Sequence, residues 1–310
     1  MIPKGWSSQK LSSVASIIDC KHRTPEYVKS GIPLVSPGTI KWGALDLISP
    51  VKRVTEEEYR SLMDHCVVEQ GDLVMSRNQS VGVVSYVDSK KPFVLGQDTV
   101  LIKAIHADWR FIYYTLQSDL VQRQIAKSAG GSTFSRINLS DIRALNIKTP
   151  AICEQDKISQ ILTAWDKAIS VTESLLANSQ QQKKALMQQL LTGNKRLLDE
   201  NGVRFSGEWK ITKLIQMGKV VSGGTPDTNM AMYWEGDILW LTPTDVTALT
   251  GRFVSNTSRK ITPAGLLNSS AVLLPKGSLM VCTRATIGAL AISTSEICTN
   301  QGFKNIIPNE

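Results

Sequence analysis

The sequence predicts an α+β protein: two similar mixed α/β domains separated by a long coiled-coil-type helix, with the second domain incomplete. Three observations carry this. The chain repeats itself at an offset of about 206 residues: Ile32-Pro33-Leu34-Val35-Ser36-Pro37 returns as Ile238-Leu239-Trp240-Leu241-Thr242-Pro243, and Gly71-Asp72-Leu73-Val74-Met75-Ser76 as Gly277-Ser278-Leu279-Met280-Val281-Cys282. Ser80-Val81-Gly82 likewise matches Thr286-Ile287-Gly288. A period this long marks a duplicated domain rather than a solenoid unit. Between the copies lies a stretch without Gly or Pro, from Glu154 to Leu191, with apolar residues at helical spacing. The second copy stops at Glu310, where the first has roughly 90 residues still to run.

The first domain, residues 1–150, reads as many short strands with a few helices. Gly31 to Ile40, Asp72 to Met75 and Val81 to Val87 are apolar runs bounded by Gly, Pro and Ser, and Phe93 to Ile105 reads as two strands broken at Gly96-Gln97-Asp98. Thr55 with Glu58 three residues on predicts a capping box opening a short helix. Phe111, Tyr114, Leu116, Leu120 and Ile125 predict one longer helix over Trp109–Lys127, after which Ala129–Phe134 must be a loop.

Residues 151–193 form the long helix. Ile158, Leu162, Trp165, Ile169, Thr172, Leu176, Ser179, Lys183, Leu186 and Leu190 are spaced alternately four and three apart, a heptad seam sustained for more than four heptads. Gly193 supplies the stop, with Lys183, Lys184, Lys195 and Arg196 near the end where the helix dipole favours cations. A helix that long, polar on most faces, needs a partner along its apolar stripe. That partner is either the body of its own chain or another long helix. Residues 194–208 are a polar, glycine-bearing linker. Trp209 then opens the second domain, 209–310, as Trp6 opens the first.

Composition narrows the class. With 42% hydrophobic and 20% charged residues the chain is an ordinary globular protein, and no run approaches the ~18–20 apolar residues of a membrane span. The start, Met1-Ile2-Pro3-Lys4-Gly5-Trp6, lacks the apolar stretch of a signal peptide, so the expectation is a cytoplasmic protein without a membrane partner. Five cysteines (Cys20, Cys66, Cys153, Cys282, Cys298) and three histidines (His22, His65, His106) make no zinc-spaced group, and no metal is expected. An excess of 35 Lys+Arg over 27 Asp+Glu gives +8, which permits a nucleic-acid partner without demanding one.

Certain segments carry a family likeness. Pro150 ahead of Glu154-Gln155-Asp156-Lys157-Ile158, and Ala185-Leu186-Met187-Gln188-Gln189-Leu190-Leu191-Thr192-Gly193 at the helix end, resemble the specificity subunits of type I restriction–modification systems. Gly131-Ser132-Thr133-Phe134 and Gln301-Gly302-Phe303-Lys304-Asn305-Ile306-Ile307-Pro308 are similar to further stretches of that family. The resemblance implies two target-recognition domains on double-stranded DNA, each reading half of a split site. The long helix would act as spacer and dock the modification (methyltransferase) subunits, with a restriction/translocase subunit in the complex. Self-association through the helix is a further route. The resemblance also implies that S-adenosylmethionine, ATP and Mg belong to the partner subunits, with no cofactor in this chain. One departure stands out: the later part of the second recognition domain and the second long helix are missing, as in a fragment or a naturally truncated product.

No catalytic residues are found: there is no Walker loop, no Gly-x-Gly-x-x-Gly after a strand and no His-Glu-x-x-His. Asp227, Glu235 and Asp237 read as solvated strand-end carboxylates. For reading DNA, the turn Arg77-Asn78-Gln79-Ser80 follows an apolar strand and is expected to be tight and exposed; its counterpart, Thr283-Arg284-Ala285-Thr286, carries its arginine one position later. Ser132, Thr133 and Arg136 are candidates for phosphate, and Lys21, Arg23 and Lys41 are weaker basic ones. Gln97 and Gln301 hold corresponding places before a strand, with a structural role expected. A non-DNA assembly protein that oligomerises through the long helix is the alternative.

Overall fold

The computed structural model describes residues 2–50, 52–130 and 135–309. The chain divides into two compact units, residues 1–186 and 187–310.

The first unit runs β1 (Ser7–Lys10), β2 (Ala15–Asp19), β3 (Ile32–Val35), β4 (Gly43–Ala44), β5 (Arg53–Val54), α1 (Glu56–Met63), β6 (Leu73–Ser76), β7 (Val84–Tyr86), β8 (Val94–Leu95) and β9 (Thr99–Ala104). Then follow α2 (Trp109–Gln117), α3 (Asp119–Ala129), α4 (Leu139–Ala144), β10 (Asn146–Thr149) and the 40-residue α5 (Ile152–Leu191). Its main sheet has the order β2-β9-β6-β7-β4, its smaller one β5-β3-β8, and β1 pairs with β10. Because side chains alternate across a strand, the main sheet serves two cores. Leu73, Met75, Val100 and Ile102 face Ile112, Leu116, Val121, Ile125 and Ile142 of the helices. Val74 and Leu101 face Leu34, Val35, Leu62 and Phe93. Each such fully buried side chain contributes about 1.5–3 kcal/mol.

The second unit runs α6 (Leu214–Met217), β11 (Gly218–Ser222), β12 (Trp234–Leu241), α7 (Pro243–Ala248), β13 (Phe253–Val254), β14 (Arg259–Ile261), α8 (Pro263–Leu267), β15 (Leu279–Cys282), β16 (Leu290–Ser293), β17 (Ile297–Thr299) and β18 (Phe303–Pro308). Its sheets are ordered β11-β18-β15-β16-β13 and β14-β12-β17. Position by position this is the topology of the first unit, including the parallel pairs β4·β7 and β13·β16, and β3·β8 and β12·β17. The turns keep their backbone too: φ is 94° at Gly71 and 84° at Gly277, 60° at Gln79 and 59° at Ala285, 81° at Gly82 and 85° at Gly288. The repeat read in the sequence is therefore a repeat of topology.

Two local expectations need correction. The helix predicted over Trp109–Lys127 is two helices, broken at Ser118. Ser118 is extended (φ −64°, ψ 145°), closes α2 by donating its hydroxyl to the Thr115 carbonyl at 2.6 Å, and starts α3. Ser118-Asp119 is a helix-start pair that the apolar spacing masked. At α1, Thr55 Oγ1 accepts the Glu58 N–H at 3.2 Å, but the Glu58 carboxylate goes to Arg23 rather than back to the cap.

The long helix meets the first unit through a polar stripe. Gln155 accepts the Asp108 N–H at 3.1 Å and donates to the Pro150 carbonyl at 2.9 Å; Ser159 donates to Asp108 at 2.8 Å; Tyr114 donates to Asp166 at 2.8 Å. Gln155 and Ser159 are the buried residues of α5. The heptad seam flanks this stripe on the helix surface. Leu162, Trp165, Ile169, Leu176 and Leu186 are exposed, Trp165 at 66%, while Ile158 and Leu190 are half-buried. Within the first unit most of the seam is left exposed. After the helix, the Lys195 N–H closes on the Gln189 carbonyl, and residues 194–208 form a small turned strand pair, with a bridge between Leu198 and Arg204.

Candidate nucleic-acid interface

The candidate surface is built where the β6–β7 hairpin meets the β8–β9 loop. Arg77, the first residue past β6, is a correction. It was expected on an exposed turn, yet it is 5% exposed. Its Nη1 lies 2.8 Å from Asp19, and its Nε donates to the Ile137 carbonyl at 3.1 Å. Its backbone N–H also donates to the Asp98 carbonyl at 2.8 Å. Arg77 thus ties β2, the hairpin and the segment before α4 together, with its side chain turned into the domain. In the second unit Thr283 holds this place, its N–H donating to the Gly302 carbonyl at 2.8 Å. Arg284 stands one residue later. Thr283 and Arg284 are both exposed where Arg77 is buried.

The remaining turn residues do reach the surface. Asn78 is half-buried, with its amide 3.4 Å from Asp98; Gln79 is exposed in the left-handed conformation; Ser80 donates to the Pro37 carbonyl at 3.0 Å and so anchors the turn. Arg136 bridges to Asn78 through its backbone and pairs with Asp98 at 2.7 Å, which offsets part of its charge. Ser132 and Thr133 lie outside the described residues. In the second turn Thr283 donates its hydroxyl to Gly302, and Thr286 turns its hydroxyl inward. Of the weaker basic candidates, Lys21 is paired with Asp64 and Arg23 with Glu58.

A cleft of about 420 Å³ opens beside this turn, lined by Arg23, Thr24, Lys52, Asn78, Gln79 and Gln97 among others. Sequence reading missed Thr24. Its partner is Gln97, whose amide donates to the Thr24 hydroxyl at 3.1 Å. The second unit repeats the pair: Thr225 bonds Gln301. The signal was the dipeptide Thr24-Pro25 against Thr225-Pro226, which falls out of register with the 206-residue offset.

A second cleft, of about 770 Å³, lies between α2 and α5, lined by Trp42, Tyr86, Trp109, Tyr113, Tyr114 and Asp166 among others. Burial pushes the Tyr113 and Tyr114 hydroxyls up to about 12, so both stay protonated and act as hydrogen-bonding groups at neutral pH. Asp19, Cys20 and His22 bring ligand atoms within 4.8 Å of one another, a grouping that the pair Cys20 and His22 alone did not show. Asp19 already holds Arg77 through Oδ1 and His22 through Oδ2, and burial pushes the Cys20 thiol up.

The chain matches, over residues 3–178 and 206–310, the profile described as the type I restriction modification DNA specificity domain. The chain belongs to that family. It is 39% identical over 103 residues to the type I restriction enzyme MjaIX specificity subunit of Methanocaldococcus jannaschii, a match covering 33% of this chain and 24% of the relative. It is 32% identical over 161 residues to the EcoR124I/EcoR124II specificity subunit of Escherichia coli, covering 49% of this chain and 36% of that one. The matches thus span less than half the length of these curated relatives. Among solved structures, the HsdS subunit from Thermoanaerobacter tengcongensis aligns over 99% of this chain and 76% of its own, with TM-score 0.50 and 17% identity. The type I S subunit from M. genitalium aligns over 100% and 73%, with TM-score 0.53 and 14% identity. These two share the fold: mixed domains with a long helix between them. Among the described residues no helix is long and apolar enough to cross a membrane.

Proposed function

We propose that the chain is a non-catalytic DNA-specificity subunit: each unit reads half of a split target, and the complex directs type I methylation and restriction. The carrying observation is the duplicated hairpin. The same backbone turn, with φ near 60° at its third residue, presents Asn78 and Gln79 in one unit and Arg284 and Ala285 in the other. One scaffold with different polar tips suits two heads that read different bases, since Asn and Gln pair with adenine edges and Arg with guanine. Arg284, Asn78 and Gln79 carry base reading in this proposal, Arg136 and the residues 132–133 the backbone, and Arg77 serves as the internal brace.

The helix seam from Ile158 through Leu162, Trp165, Ile169, Leu176 and Leu186 to Leu190 would dock a further helix or the modification subunits. S-adenosylmethionine, ATP and Mg would be bound by the modification and restriction subunits, which supply the chemistry. The test is duplex binding by the full chain across salt. Phosphate-driven binding weakens by orders of magnitude between ~50 and ~200 mM salt. Salt-independent binding, or methyl transfer by the purified chain alone, would overturn the proposal.

A further inference from the structure

The two reading heads differ where they should and agree in one place that the turn does not explain. The β8–β9 loop Gly96-Gln97-Asp98 corresponds to Asn300-Gln301-Gly302, because Arg77 N–H meets the Asp98 carbonyl as Thr283 N–H meets that of Gly302. Within that correspondence Gly96 has become Asn300 and Asp98 has become Gly302, yet the glutamine is retained. So is its partner: Thr24 and Thr225 each hold the amide, and each precedes a buried proline, Pro25 and Pro226. Both glutamines are exposed. A primary amide has two N–H donors and a carbonyl. The threonine engages one of these groups in each unit, and among the described residues nothing engages the rest. In the first unit Gln97 shares its cleft with the cations Arg23 and Lys52.

Two heads that read different half-sites share only what all DNA shares, which is the sugar–phosphate backbone. We propose that Gln97 and Gln301 are phosphate-contact residues: each, oriented by its threonine, donates a free amide N–H to one phosphate oxygen of its own half-site. That contact sets the register in which Asn78 and Gln79, or Arg284, meet bases. This rests on the DNA-reading function above.

The test uses the full chain and a target duplex selected by the chain itself from a degenerate pool. Gln97→Ala should weaken binding about tenfold on every duplex, the scale of one hydrogen bond to a charged group, and leave the ranking of sequences unchanged. Single methylphosphonate substitutions, which remove one phosphate charge at a time, should weaken the native chain at one position per half-site that no longer matters in the corresponding alanine variant. Gln97→Glu retains a partner for the Thr24 hydroxyl but sets a carboxylate against the phosphate, so it should bind worse than Gln97→Ala. A milder effect of glutamate than alanine would mark a purely structural tie and overturn the proposal. Lost discrimination at one base pair, with the phosphate scan unchanged, would make Gln97 a base reader and overturn it equally. Absence of duplex binding by the native chain would instead remove the underlying function.

Discussion

The two units share a sheet topology and differ in what covers it. In the first, the face carrying Leu73, Met75 and Ile102 is roofed by α2, α3 and α4. In the second, Leu279, Val281, Leu290 and Ile292 on the corresponding face are half-buried and Val220 is 40% exposed, while Ile306, the counterpart of Ile102, is buried. The opposite face is closed in both: Met280, Ala291 and Phe303 are fully buried. Gly82 and Gly288 give the contrast in miniature. Both have φ above 80°, but a Cβ on Gly82 would stand 2.8 Å from Ile125, whereas Gly288 has open space. Among the described residues the two units thus share strand order and turn backbone but differ in how far one sheet face is covered.

The comparison can be broken most forcefully at the arginines. Arg77→Ala should destabilise the first unit by about 3 kcal/mol, since it strands a partly buried Asp19 and an Ile137 carbonyl. Arg284→Ala should change stability by less than about 0.5 kcal/mol, as an exposed substitution. Denaturant unfolding of the two variants checks this, and equal effects would refute the inward and outward assignment. Next come the glycines. Gly82→Ala should destabilise by about 2 kcal/mol, combining the left-handed backbone with overpacking against Ile125, and Gly288→Ala by about 1 kcal/mol from the backbone alone.

The smallest effect concerns thiols and pH. Burial pushes Cys298 up to about 12 from an ordinary 9.0, and raises Cys282 and Cys20 as well. A folded-state pKa raised in this way favours the protonated thiol. Its stabilisation is full below pH 9 and declines as pH climbs from 9 towards 12. At neutral pH a thiol reagent should label exposed Cys153 at once and Cys282 and Cys298 only on unfolding. Rapid labelling of Cys282 would show that the open sheet face loosens the closed one.

Much of this was legible in the sequence because strands, turns and a heptad seam are local signals. Gly82 and Gly288 hold equivalent turns, and Pro37 and Pro243 each open a helical segment directly after a strand. The break at Ser118 was hidden because apolar spacing continued across it. Arg77 was misread because a side chain's face depends on its tertiary partners, here Asp19, 58 residues away. The Thr24–Gln97 pair, 73 residues apart, was invisible for the same reason. For α5, periodicity predicted the seam but not that the helix would attach by the polar stripe flanking it, through Gln155, Ser159 and Asp166.

That polar attachment has a consequence for association kinetics. Forty residues of helix, about 60 Å long, are nucleated and held at one end by the folded domain. A partner arriving on the Leu162–Leu176 side meets a surface already in its bound conformation. The ordering entropy of coil-to-helix conversion is met during folding of the chain rather than at encounter, so affinity there depends on how well side chains interdigitate.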